Sequence, residues 1–66
     1  MITVTVTPRL HSGYYLNHQA QTATASGRGE LLAAISYALT KAMTAMQGRE
    51  RQPLEYDYVL HFEEKP

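Results

Sequence analysis

Cysteine is absent from this 66-residue chain, which excludes disulfide staples and thiolate-bound zinc. An excess of either charge is missing too, because six Lys/Arg stand against six Asp/Glu. General nucleic-acid binders carry a basic footprint, so no nucleic-acid partner is expected. No apolar run nears the ~20 residues that span a bilayer, and Met1 leads into a strand pattern rather than a signal peptide. The expectation is therefore a cytoplasmic protein without a membrane partner. Chemical signatures are equally sparse. There is no nucleophile elbow of the GxSxG type, no HExxH pair and no phosphate loop ending in Gly-Lys-Ser/Thr. His11, His18 and His61 are scattered rather than spaced as metal ligands, so neither a metal nor a cofactor is expected.

What is present suffices for one small domain spanning 1–66. Hydrophobic residues make up 44% of the chain and charged residues 18%, a balance that supports a core rather than a disordered tail. At the N-terminus Ile2, Val4 and Val6 alternate with Thr3, Thr5 and Thr7, the period-two pattern of a strand with one buried face. Pro8 cannot donate to a ladder, so regular pairing should weaken there. His11-Ser12-Gly13 supplies turn residues, with Gly13 free to take positive φ. A second strand is expected from Tyr14 to about Ala25, closing a hairpin. A helix is expected from about Arg28 to Gln47, capped by Ser26 or Gly27 and ended by Gly48. At 100° per residue Leu31, Leu32, Ile35, Leu39, Ala42, Met43 and Met46 share its apolar arc, flanked by alanines. After a charged connection, Arg49 to Pro53, alternation resumes. Leu54, Tyr56, Tyr58, Leu60 and Phe62 fall on one face, with Glu55, Asp57, His61 and Glu63 on the other and Val59 as its apolar exception.

These elements predict an α+β fold, a two-layer ββαβ unit. Its three-stranded antiparallel sheet, in the order 2-1-3, is covered on one face by a single helix. A ribbon-helix-helix arrangement is excluded because a strand, not a second helix, follows the helix. So small a core, together with a long aromatic last strand at an edge, predicts a homo-oligomer, with a dimer favoured.

Functional expectations follow from surface chemistry. Tyr37, set among Thr40 and Thr44 on the polar arc of the helix, is a candidate contact for a protein partner or a second copy. The strand face formed by Glu55, Asp57, Val59, His61 and Glu63 is a second candidate contact. Gly27, Arg28 and Gly29 at the helix start could hold an anion or nucleotide phosphate through main-chain N–H groups and the guanidinium. Asp57 and His61 could act as an acid–base pair in a small enzyme built across a dimer interface. The leading expectation is a non-catalytic interaction protein that binds and occludes a surface of a larger protein partner. By analogy of size and missing chemistry, it fits a phage or mobile-element accessory protein that inhibits a bacterial defence system.

Overall fold

The computed structural model describes residues 1–49 and 51–65; Glu50, in the charged connection, and Pro66 lie outside them. Three strands form one antiparallel sheet in the order β2-β1-β3, where β1 is Ile2–Leu10, β2 is Gln21–Ala25 and β3 is Tyr56–Glu64. One helix, α1 (Leu31–Ala45), lies on one side, so the expected two-layer α+β architecture and strand order are present.

β1 forms because its β-branched residues alternate cleanly. Ile2, Val4, Val6 and Pro8 are buried towards α1, while Thr3, Thr5 and Thr7 line the opposite, open face. Its register with β3 runs without a bulge from Ile2 opposite Glu64 to Leu10 opposite Tyr56. With β2 it stops at Val6 opposite Gln21. Pro8 accounts for this asymmetry. Its carbonyl accepts from Leu16 N–H at 2.9 Å, on the β2 side. The N–H and C=O of one residue in an antiparallel strand point the same way, so the missing N–H of Pro8 also faces β2. Pairing weakens on that side alone.

The expected second strand is shorter than predicted. Gly13 turns the chain at φ 104°, but Tyr14 to Gln19 does not join the ladder continuously. Tyr15 makes one bridge to Arg9, and Asn17–Gln19 is a 3-10 turn. Tyr14 and Tyr15 carry strand propensity, but the donor-less Pro8 opposite this segment cannot sustain a ladder.

The helix is also trimmed and rotated relative to expectation. Arg28–Glu30 is a 3-10 turn, α1 begins at Leu31, and Gly48 closes the segment at φ 78°. The row pressed onto the sheet is Ala34, Ala38 and Ala42, continued by Met46, not the leucine-rich arc. Leu31, Ile35, Leu39 and Met43 are only partly buried, and Leu32 is 75% exposed. A row of methyl groups lets α1 sit close over β1 and over Ala23 and Ala25 of β2. The bulkier row is thereby turned sideways, towards β3. The resulting core is thin: four of its seven clustered buried residues are alanine.

Before β3, Leu54 and Glu55 belong to a 3-10 turn, Pro53–Glu55, rather than to the strand. Gln52 N–H donates to the Glu55 carboxylate at 2.6 Å, and Glu55 N–H to the Gln52 carbonyl at 2.9 Å. The Tyr58 hydroxyl donates to the Pro53 carbonyl at 2.6 Å, tying the turn to the strand it opens. Burial pushes that phenol above its ordinary pKa.

Candidate interaction surface

Because α1 covers β1 and β2, the helix-side face of β3 is left largely bare. Tyr56 is buried at one end, but Leu60 and Phe62 are 36% and 47% exposed. Together with the sideways leucine row of α1 they form an apolar trough along the helix–strand seam. Two shallow hollows mark it. One, of about 540 Å³, lies among Leu39, Met43, Tyr58 and Leu60; the other, of about 360 Å³, lies among Leu31, Phe62, Arg28 and Glu64. Exposed apolar side chains grouped along one seam of so small a chain mark a contact site.

The outer border of this trough is the free edge of β3. Alternation from Pro8 turns the main chain of Thr3, Thr5, Thr7 and Arg9 towards β3. Their partners there are Glu63, His61, Val59 and Asp57. The paired Met1 and Lys65, joined by hydrogen bonds of 2.9 and 3.0 Å, continue the same pattern. The N–H and C=O groups of Tyr58, Leu60 and Phe62 therefore point outward, away from β1. Side chains of these same residues floor the trough.

The open face of the sheet is polar. Asp57 accepts from Arg9 Nη2 at 3.0 Å and Arg9 Nε at 3.3 Å, and its other oxygen lies 3.3 Å from His11 Nε2. Donating these hydrogen bonds to Asp57, foremost among the causes, raises the Arg9 pKa above its ordinary value. Tyr15 lies under that guanidinium, 5.7 Å from ring centroid to Cζ. His61 does not join this cluster. It stands opposite Thr5, and four residues along a strand span about 13 Å at ~3.3 Å per residue. The candidate acid–base partners Asp57 and His61 are thus on one face but out of reach of each other within a chain. Val59 and Glu63 complete that row opposite Thr7 and Thr3. Among the described residues no group of three His, Asp or Glu side chains is placed to hold a metal ion.

The remaining candidates lie elsewhere. Thr40 and Thr44 are exposed on the outer side of α1, while Tyr37, also exposed, borders a shallow hollow between α1 and β2 with Ala23 and Thr24, its ring 4.9 Å from the Lys41 ammonium. They lie on the opposite side of the molecule from the Asp57–Glu63 face, so one flat contact cannot use both. Glu55 sits in the turn before β3 with its carboxylate engaged by Gln52.

At the helix start, the Glu30 carboxylate accepts from Ser26 N–H at 3.0 Å and from the Ser26 hydroxyl at 2.9 Å. Those bonds hold its pKa below the ordinary carboxyl value. A carboxylate of this chain therefore sits at the turn formed by Gly27, Arg28 and Gly29, while Arg28 points to the trough hollow beside Phe62 and Glu64.

Sequence reasoning missed the trough because it assigned Leu31, Ile35, Leu39, Leu60 and Phe62 to a closed core. The available signal was the alanine content of β2, since Ala23 and Ala25 accept only a small-residue helix row above them. No protein-family model, curated protein or solved structure matches the chain. Among the described residues, no helix is long and apolar enough to cross a membrane.

Proposed function

We propose that this chain is a non-catalytic interaction protein that works by covering a surface of another protein, a second copy included. The observation that carries this reading is the trough: Leu60 and Phe62 remain exposed on the side of the sheet that a core would bury. Burying such surface is favourable by about 25 cal/mol per Å², and the thin alanine-rich core leaves the domain with much to gain from it. The free main-chain groups of β3 add a directional component that selects an extended partner.

Support for the non-catalytic part is the engagement of Asp57 by Arg9 and His11, which occupies both of its carboxylate oxygens. The anion-binding alternative has less support, because Glu30 already brings a negative charge to the Ser26 donors. A larger partner occluded by this surface, in a phage or mobile-element setting that disarms a bacterial defence system, is the form of the proposal suggested by chain size; no residue specifies that setting.

The test is photo-cross-linking in expressing cells, with a benzophenone side chain at Phe62 or, as control, at Thr24 on the open face of β2. Discrete cross-links to protein from position 62 but not 24 are expected. Equal labelling from both positions, or none from Phe62, would refute the reading.

A further inference from the structure

We infer that the occupant of the β3 edge is a second copy of the chain, paired antiparallel to it about a two-fold axis at Val59. The inference rests on the trough being a docking surface and names its partner.

Three observations lead there. First, β3 is weakly protected as a sheet edge over its central residues. Its nine residues pair with β1 without a bulge, it contains no proline, and on the helix side its charge is confined to the terminal Glu64, leaving Tyr56, Tyr58, Leu60 and Phe62 uncharged. Second, a two-fold axis perpendicular to the sheet keeps both helices on the same side. Each copy then adds its own apolar floor to one continuous six-stranded sheet in the order 2-1-3-3-1-2.

Third, charge and size complementarity select the register. An axis at Val59 puts Asp57 of one copy opposite His61 of the other, and Val59 opposite Val59. On the helix side it puts Tyr58 opposite Leu60 and Tyr56 opposite Phe62, apolar against apolar throughout. Shifting the axis to Leu60 sets Asp57 against Glu63, and like charges directly opposite are destabilising. Moving it to His61 sets Glu63 against Val59 and brings Glu64 over Tyr58 in the trough. Of these three axes, the one at Val59 alone sets, between Tyr56 and Phe62, no like charges opposite each other and no charge against an apolar residue. It also brings together, between two copies, the Asp57 and His61 that one chain holds apart.

The absence of cysteine makes a direct test possible. Val59 hydrogen-bonds inward to β1, so Val59 against Val59 is a non-hydrogen-bonded pair with Cα atoms about 4.5 Å apart, within disulfide range. The single variants Val59→Cys, Leu60→Cys and His61→Cys are mildly oxidised and sized under denaturing, non-reducing conditions. The expected result is a shift of Val59→Cys to twice the chain mass, with the other two remaining at the mass of one chain. Efficient cross-linking of Leu60→Cys or His61→Cys instead would overturn the register. If no variant cross-links and the unmodified protein has the mass of one chain, the dimer itself is overturned. In that case, cross-links from Phe62 to a different protein would leave the interaction reading intact, and their absence would remove that reading too.

Discussion

Pro8 lies directly opposite Tyr58 in the β1–β3 ladder, and its carbonyl points to Leu16 on the other side of β1. This single pairing fixes the hydrogen-bonding parity of the whole sheet. Residues of β3 that turn their main chain outward are therefore the ones whose side chains line the trough. One neighbour can satisfy the free edge and cover the apolar floor together. The arrangement would fail if the parity were shifted by one residue, because the outward groups would then belong to the polar face.

The placement of α1 makes the first prediction. Ala38 is fully buried against the sheet, whereas Leu32 is 75% exposed. Ala38→Leu should force the helix away and destabilise the domain by about 1–3 kcal/mol. Leu32→Ala should change stability by no more than about 0.5 kcal/mol. Thermal melts of the two variants check this, and a larger loss for Leu32→Ala would restore the leucine arc as the packed face.

Charge placed in the trough should separate association from folding. Phe62→Lys and Leu60→Lys alter side chains that are already partly exposed. Each should preserve the circular dichroism spectrum at low concentration and abolish concentration-dependent association. Thr24→Lys, on the opposite face, should leave association unchanged.

Glu30 gives a pH prediction with a definite sign. Its folded-state pKa is depressed by the bonds from Ser26. Stability from those bonds is fully present above the ordinary carboxyl pKa of about 4.5, and it is lost as pH falls through the lower folded-state value. Melting temperature should therefore drop in that acid window, and Glu30→Gln should show a shallower drop than the unsubstituted chain. Identical slopes would show that the Ser26–Glu30 contact contributes nothing in solution.

On the open face, Arg9 and Asp57 are each more than a third exposed as side chains. Solvent screening limits such a pair, so the coupling energy from an Arg9→Ala/Asp57→Ala double-mutant cycle should be below about 1 kcal/mol and should shrink with salt. A coupling several times larger would mean that the pair is shielded by something that covers the open face.

Much of this architecture was legible in the residues themselves. The Ile2–Val6 alternation, the Gly13 and Gly48 turns, the helix and the aromatic stripe of β3 all act locally, and their order leaves few topologies, among them the antiparallel 2-1-3 sheet observed. Three features depended on non-local geometry. Tyr14 and Tyr15 look like strand residues, but their pairing is decided by Pro8 six or more positions away. Leu54 continues the alternation of β3, yet Pro53 and the Gln52–Glu55 contacts bend it into a 3-10 turn. The row of α1 that meets the sheet is chosen by Ala23 and Ala25 underneath, so hydrophobicity alone pointed to the wrong row. That rotation is also why the trough is not legible in the sequence, although the long aromatic edge strand that borders it is.

The most direct measurement of the central claim is molar mass by light scattering across a dilution series, with helicity recorded alongside. The account predicts twice the 7.4 kDa chain mass at high concentration, falling towards one chain on dilution, and a Phe62→Lys variant that stays at one chain throughout. A constant mass of 7.4 kDa at every concentration would contradict it.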